Sequence, residues 1–301
     1  MKKFYKIFLA NLLIIILILT AFEIFISKKT FEDIAGKNSR ISYSLCKENF
    51  SVNSIKKNTR KPFGLDKNYQ KRPILIYGCS FAYGELLPAD KSFGYLLSKK
   101  TKRPVYNFAA PARGLQHALY LLENDSIVTP EPEYIFYVFI SDHARRMYLN
   151  CNKIDGVKYI YYHLKDGKMV LQNNEYDLTE RFYILKTIKE IIYRSLAEKF
   201  NKEIYRQTER YFAAIQEAAK EKYPNAKFVI IDYGFGKDII TGKRAKELNK
   251  KGIEIIRLKD DFEDKLKSKE YRISADTDKY KHPNGKAWEI ITDYLCKKYN
   301  L

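Results

Sequence analysis

The feature that most restricts the fold of this chain is a short apolar run at residues 74–77 (Ile-Leu-Ile-Tyr) that stops at Gly78. A continuous apolar run of this length is typical of a buried strand in a parallel sheet. Ser80 follows two positions after the glycine, and a segment with helical spacing begins at Asp90. Because α/β proteins place their chemistry at the carboxyl ends of such strands, Ser80 is a candidate nucleophile.

A polar stretch near the carboxyl end contains the partners that a serine nucleophile needs. Residues 276–284 read Asp-Thr-Asp-Lys-Tyr-Lys-His-Pro-Asn, just ahead of the last helical pattern. The chain order is therefore Ser80, then Asp276 or Asp278, then His282. This is one of the orders in which catalytic triads occur.

Together the two stretches resemble the SGNH (GDSL-type) hydrolase family. That family has Gly-Asp-Ser at the end of an apolar strand, and an Asp and a His, often continuing His-Pro-Asn, before its terminal helix. The resemblance spans about residues 72–301. It implies a three-layer α/β/α flavodoxin-like domain with a central parallel sheet, and an ester hydrolase or O-acyltransferase with a serine nucleophile.

By this resemblance Ser80 is the nucleophile and His282 the general base. The family usually has its aspartate three residues before the histidine, a position that Lys279 occupies in this chain. We therefore assign the triad acid to Asp278 in a loop longer by one residue, with Asp276 as the alternative. Cys79 replaces the aspartate of the Gly-Asp-Ser block and is interpreted as a small buried residue.

The resemblance also implies an oxyanion hole, a set of donors for the charge that develops on the substrate oxygen. The positions that match its donors are those of Ser80, Ala112, Gly114 and Ser141. Ala112 replaces the family's glycine and keeps an N–H donor provided that its φ is negative, and Gly114 takes the role if the register shifts by two. Ser141 replaces the family's asparagine. His143 is an alternative donor, and the other interpretation is that both residues are only part of a polar loop at the end of a strand.

The amino-terminal segment predicts a membrane anchor. Residues 7–26 are almost all apolar, and twenty helical residues span roughly 30 Å, enough to cross a bilayer core. Lys2, Lys3 and Lys6 precede them, but no small-x-small cleavage site follows. We predict a single-pass signal anchor with the globular domain extracytoplasmic or periplasmic; a cleaved signal peptide is the alternative.

Composition limits the remaining classes of function. The formal charge of +19 favours anionic surroundings, but no nucleic-acid-binding motif is present, so we predict no nucleic-acid partner. The four cysteines are widely separated, without a Cys-x-x-Cys motif. Gly234 and Gly236 lack the spacing of a nucleotide-binding loop. We predict no cofactor and no metal.

The rest of the chain suggests three parts. Residues 1–27 are the anchor, residues 28–70 a juxtamembrane spacer, and residues 71–301 the SGNH hydrolase-like domain, with an insertion at about 145–200. Within the insertion, Asp166 and Gly167 predict a hairpin turn, and its tyrosines are interpreted as packing residues in preference to sugar-stacking ones.

These observations predict a membrane-anchored serine esterase acting on O-acyl, in particular O-acetyl, esters of cell-envelope glycans. The partners expected are an acylated carbohydrate polymer or a small ester, and the membrane. One alternative is an O-acetyltransferase of a surface polysaccharide or peptidoglycan, supplied by a membrane acyl-donor protein. The other is a non-catalytic glycan-binding or assembly protein with the same fold.

Overall fold

The structure is a computed structural model. It describes residues 62–64, 69–124, 129–147, 153–154, 158–159, 161–165, 168–172, 201–236, 238–274, 276–278 and 281–301. All of these lie in one compact unit that comprises residues 49–173 and 201–301. The predicted membrane segment at residues 7–26 and most of the predicted spacer lie outside the described residues. Within the described ranges, no helix has both the length and the apolar character needed to cross a membrane.

Strands and helices alternate along most of the described chain. The strands are β1 (Ile74–Tyr77), β2 (Val105–Asn107), β3 (Tyr134–Phe139), β4 (Lys153–Ile154), β5 (Lys158–Tyr159), β6 (Tyr161–Lys165), β7 (Lys168–Gln172), β8 (Lys227–Asp232) and β9 (Ile255–Arg257). The α-helices are α1 (Ser80–Tyr83), α2 (Phe93–Thr101), α3 (Leu115–Asn124), α4 (Ser141–Arg146), α5 (Asn201–Lys222), α6 (Gly242–Lys250), α7 (Leu258–Lys267) and α8 (Gly285–Tyr299).

The centre of the fold is a five-stranded sheet in which every pairing is parallel. Its strand order is β2-β1-β3-β8-β9. Counting only these strands, the order is 2-1-3-4-5, which is the flavodoxin-like order of doubly wound sheets. The predicted fold class is confirmed in this respect, and β1, which precedes Ser80, lies inside the sheet.

The sheet is covered by helices on both faces because its strands are apolar on both faces. In β3, Ile135 and Tyr137 belong to one hydrophobic cluster, whereas Phe136 and Val138 belong to the other. Helices α3, α5 and α6 contribute to the first cluster, and α2, α7 and α8 to the second. Burial of this kind, at about 25 cal/mol per Å² of apolar surface, is the main stabilising contribution to such a core.

Two predicted boundaries are wrong for identifiable reasons. A strand-end loop was one of the two interpretations of residues 141–143, but they begin helix α4, in which Asp142 and Arg146 form an i,i+4 ion pair at 2.8 Å. The last helix was predicted from Pro283, but it begins at Gly285. Asn284 is its N-cap, and its side chain accepts a hydrogen bond from the Ala287 N–H at 3.2 Å.

The predicted hairpin within the insertion is confirmed. β6 and β7 pair antiparallel, with Lys165 opposite Lys168. Tyr162 on β6 is buried, its ring packs against Tyr211 at a centroid distance of 6.2 Å, and its hydroxyl donates to Glu123. For Tyr162 the packing interpretation therefore holds. The helix predicted at residues 179–200 lies outside the described residues.

Candidate active site

Ser80 is placed by a sharp turn at the carboxyl end of β1. Gly78 has a φ of +149°, and a side chain there would lie 2.9 Å from the carbonyl oxygen of Val138 on the neighbouring strand. Only glycine fits this conformation and this close approach. Ser80 then begins the single turn of α1, which ends at Gly84 in the left-handed region with a φ of +76°.

His282 and Asp278 come from a loop that is closed by its own hydrogen bonds. The N–H of Asp278 donates to the carbonyl of Ser274 at 2.8 Å, and the N–H of Ile273 donates to the carbonyl of His282 at 3.0 Å. Asp278 Oδ2 accepts hydrogen bonds from the backbone N–H of His282 and from its ring Nδ1, the latter at 2.9 Å. The carboxylate thereby fixes both the loop and the imidazole.

The structure brings Ser80, His282 and Asp278 together in one relay. Ser80 Oγ lies 2.8 Å from His282 Nε2, and the opposite ring nitrogen faces Asp278. The three residues are 7%, 4% and 2% exposed. A carboxylate only accepts, so Nδ1 carries the proton and Nε2 accepts a hydrogen bond from Ser80 Oγ. Asp276 is exposed, so Asp278 is the aspartate that occupies the position of the triad acid.

Glu85 is a site residue that the sequence reasoning missed. Its Oε2 lies 3.5 Å from His282 Nε2, the same ring nitrogen that faces Ser80. Its backbone N–H donates to the Ser80 carbonyl at 3.0 Å, and its side chain is 39% exposed. The available signal was its position, one residue after the glycine that ends the nucleophile turn.

Two backbone N–H groups near the relay are candidate oxyanion donors. In the described part of the chain, neither Ser80 nor Ala112 donates its N–H in a hydrogen bond. Ala112 lies in a turn closed by the Arg113 N–H on the Ala110 carbonyl at 3.3 Å. A further bond at 3.4 Å, from the Ala110 N–H to the Gly78 carbonyl, places this turn beside the nucleophile turn.

The predicted condition on Ala112 is wrong. Its φ is +62°, not negative. With Pro111 ahead of it and a bond between residues 110 and 113, the turn has the features of type II, which requires a positive φ at its third residue. Ala112 therefore adopts a conformation that favours glycine, at a cost of about 1 kcal/mol, and it keeps its backbone N–H.

The other predicted donors are engaged elsewhere. The N–H of Gly114 donates to His117 Nδ1 at 3.0 Å. The hydroxyl of Ser141 donates to the carbonyl of Phe235 at 2.7 Å. His143 is fully buried, and its Nδ1 pairs with the Tyr137 hydroxyl at 2.7 Å. In this arrangement none of Gly114, Ser141 and His143 supplies an oxyanion donor.

Arg146 connects the Ala112 turn to helix α4. Its Nη1 donates to the Arg113 carbonyl at 2.8 Å, while its Nε donates to Asp142 at 2.8 Å. On the other side of the turn, the Arg113 guanidinium donates to the Phe108 carbonyl. These charge-assisted bonds support the strained backbone at Ala112.

Cys79 and Asn107 support the nucleophile turn without reacting. Cys79 is fully buried, and burial raises the pKa of its thiol, so it is not a thiolate at neutral pH. Asn107 at the end of β2 donates from Nδ2 to the Ala82 carbonyl at 2.9 Å and accepts from the Ala109 N–H at 3.0 Å. The predicted burial of Cys79 is confirmed.

The site and the strand order together define a flavodoxin-like doubly wound α/β fold with a serine, a histidine and an aspartate at the carboxyl edge of its sheet. No protein-family model matches the sequence, and no curated protein matches it significantly. Across the residues that the structure describes, no group of three or more His, Cys, Asp or Glu side chains is arranged to hold a metal ion.

The chain is similar to several solved structures. A lipolytic protein of the G-D-S-L family from Veillonella parvula is 11% identical, with 75% of this chain and 96% of that chain covered and a TM-score of 0.43. The acetyl xylan esterase Est2A from Butyrivibrio proteoclasticus is 12% identical, with 76% and 65% covered and a TM-score of 0.41. The salicylyl-acyltransferase SsfX3 from a tetracycline biosynthetic pathway is 10% identical, with 77% and 55% covered and a TM-score of 0.45. Likenesses of this degree carry no argument about reaction or substrate.

Proposed function

We propose that this protein is a serine esterase or O-acyltransferase that works through an acyl-serine intermediate. The observation that carries the proposal is the relay at 2.8 Å and 2.9 Å between Ser80, His282 and Asp278. A serine and a histidine that meet by chance on a protein surface have no buried carboxylate on the second ring nitrogen of the histidine. In this protein the carboxylate is present and buried, which is the arrangement that activates a serine.

The reaction that this geometry supports has two halves, acylation of Ser80 and its deacylation. His282 Nε2 accepts the proton from Ser80 Oγ as the oxygen attacks the acyl carbonyl, while Asp278 stabilises the imidazolium that forms. The N–H groups of Ser80 and Ala112 donate to the oxyanion. His282 then gives the proton to the departing alcohol. In the second half His282 Nε2 takes a proton from water or an acceptor alcohol as that oxygen attacks the acyl carbonyl, and returns it to Ser80 Oγ as the acyl–serine bond breaks.

The finer proposal is that the esters are O-acetyl groups on cell-envelope glycans. It is supported by the apolar segment at residues 7–26, which would hold the domain near its polymer, and by the charge of +19, which suits an anionic envelope. With water as acceptor the protein is an esterase. With a sugar hydroxyl as acceptor it is an O-acetyltransferase that takes its acyl group from a membrane donor protein.

The test is hydrolysis of an aryl acetate by the full chain in mild detergent. We expect Ser80→Ala and His282→Ala each to lower kcat by about three orders of magnitude or more, as loss of a triad member does. Ser268→Ala is the matched control, because Ser268 precedes the 3₁₀ turn Lys269–Tyr271 without capping it through its side chain, and we expect this variant to keep wild-type turnover.

A fluorophosphonate provides a second reading that needs no turnover, because it labels an activated serine directly. Labelling of the wild type and of Ser268→Ala, but not of Ser80→Ala, supports the serine mechanism. Equal turnover of all variants together with no labelling would overturn the proposal and favour a glycan-binding or assembly protein.

A further inference from the structure

The carboxylate of Glu85 lies on the substrate side of the relay. Its Oε2 is 3.5 Å from His282 Nε2, whereas Asp278 occupies the far side of the imidazole at Nδ1. Glu85 keeps 39% of its side chain exposed, while the Asp278 side chain keeps 1%. One carboxylate is therefore enclosed on the Nδ1 side of the imidazole, and the other is partly exposed on the Nε2 side, which also contacts Ser80 Oγ.

The position of Glu85 is fixed by the nucleophile turn itself. The left-handed Gly84 ends α1, and the N–H groups of both Gly84 and Glu85 donate to the Ser80 carbonyl at 3.0 Å. Glu85 thus cannot move away from Ser80 without opening the turn that presents the serine. The backbone of Glu85 is therefore held beside Ser80, which keeps the carboxylate within reach of His282 Nε2.

The reaction brings the leaving group next to this carboxylate. Nε2 hands its proton to the leaving oxygen, so a side chain in contact with Nε2 also faces the alcohol part of the ester. Two unit charges about 6 Å apart at an effective dielectric constant of about 20 to 40 interact by enough to change a rate by about tenfold or more. The charge of the alcohol part therefore changes the reaction rate through its interaction with the Glu85 carboxylate.

Glu85 opposes the charge of the chain as a whole. With a formal charge of +19, the protein attracts anions at long range. Salt screens that attraction within about 10 Å, whereas a contact at the reacting atoms is screened much less. The local carboxylate thus decides which esters react once they arrive.

We propose that Glu85 determines substrate specificity by favouring esters whose alcohol part is neutral or cationic and rejecting those with an anionic group next to the ester. This inference rests on the proposed serine mechanism and deepens it. It assigns the site to O-acyl esters of neutral or amino sugars. Esters that lie beside a uronic acid carboxylate or a sugar phosphate are poor substrates.

Three acetates of one series test the proposal: (3-acetoxyphenyl)trimethylammonium, methyl 3-acetoxybenzoate and the 3-acetoxybenzoate anion. The acyl group is the same, and only the charge of the alcohol part differs. We expect the ratio of kcat/KM for the cation over the anion to fall about tenfold in Glu85→Gln. Because each ratio is measured on one enzyme, any general change in the basicity of His282 cancels.

Two further variants make the result specific. Glu85→Asp keeps the charge and should keep most of the discrimination. Glu217→Gln removes one negative charge from the exposed face of α5 and should leave all three rates unchanged. An unchanged cation-to-anion ratio in Glu85→Gln, or an equal fall in Glu217→Gln, would overturn the role of Glu85.

Failure of the mechanism is separable from failure of this inference. If Ser80→Ala turns over the acetates like the wild type, the serine mechanism fails, and the role of Glu85 fails with it. If the wild type turns over none of them, the labelling rates of Ser80 with a neutral and a carboxylate-bearing fluorophosphonate give the same comparison. Absence of labelling by both reagents overturns the serine mechanism and the role of Glu85. An equal ratio of the two labelling rates in the wild type and in Glu85→Gln overturns only the role of Glu85.

Discussion

The two halves of the site are built in different ways, although both lie at the carboxyl edge of the same sheet. In the acid–base half, Ser80, His282 and Asp278 are joined directly by side-chain hydrogen bonds. In the oxyanion half, the donors that we propose are the backbone N–H groups of Ser80 and Ala112, and the Ser141 hydroxyl donates to the Phe235 carbonyl.

The difference shows where each half tolerates substitution. A side-chain relay requires particular residue types, because each atom holds or moves a proton. Backbone donors require only a conformation, and any residue that the surroundings hold in that conformation will serve. Ala112 adopts a positive φ in this turn, and the Arg146 guanidinium holds the neighbouring Arg113 carbonyl.

The largest effect that would sharpen this comparison is expected at Asp278. Asp278→Asn cannot stabilise an imidazolium and favours the wrong tautomer of His282, so we expect kcat for an aryl acetate to fall about 10³- to 10⁴-fold. Asp276→Asn is the matched control, two residues away and exposed, and should leave kcat unchanged. Steady-state kinetics of the two variants decides between the aspartates; a loss confined to Asp276→Asn would contradict the geometry.

The sequence predicted the parallel sheet and which side chains meet in the acid–base half, for a physical reason. The apolar run before Gly78 and the segment with His282 are local patterns, and a parallel sheet brings their ends together. The oxyanion half was predicted less well, because the fate of a hydroxyl such as that of Ser141 depends on a carbonyl, that of Phe235, 94 positions along the chain. Glu85 was missed because no pattern marks a carboxylate that meets a ring nitrogen only after folding.

An intermediate effect is expected from His117, which contacts Gly114 in the oxyanion half, on the pH dependence of the free energy of unfolding. Burial lowers the pKa of His117 to about 3, and the charges of Arg113 and Arg146 act in the same direction. The unfolded chain binds a proton at His117 near pH 6.5, and the folded protein does not until about pH 3. The stabilising contribution is therefore complete above pH 6.5 and is lost as the pH falls.

The measurement is the free energy of unfolding by denaturant between pH 7 and pH 5. His117 should contribute a decrease of up to about 1.4 kcal/mol per pH unit below its unfolded pKa. His117→Asn keeps an acceptor for the Gly114 N–H and should flatten the curve relative to wild type. His143 is also buried with a pKa well below its usual value, so some slope should remain in the variant. An identical slope in both proteins would contradict a neutral, buried His117.

The smallest effect is expected at Ala112, where it tests directly whether conformation alone is required. Glycine has no penalty at a φ of +62°, so Ala112→Gly should relieve strain of about 1 kcal/mol, partly offset by the greater freedom of the unfolded chain. We expect a small gain in the free energy of unfolding with little change in kcat, because the N–H donor stays in place.

The matched control is the same substitution on the exposed face of helix α5. Ala213→Gly should destabilise the protein by about 1 kcal/mol, because glycine is a poor helix former. The sign of the difference between the two variants is therefore the decisive result, and it does not depend on the absolute stability. Equal losses in both would mean that Ala112 is not held in the left-handed region. The Ala112 N–H would then not be held in the conformation that we propose for an oxyanion donor.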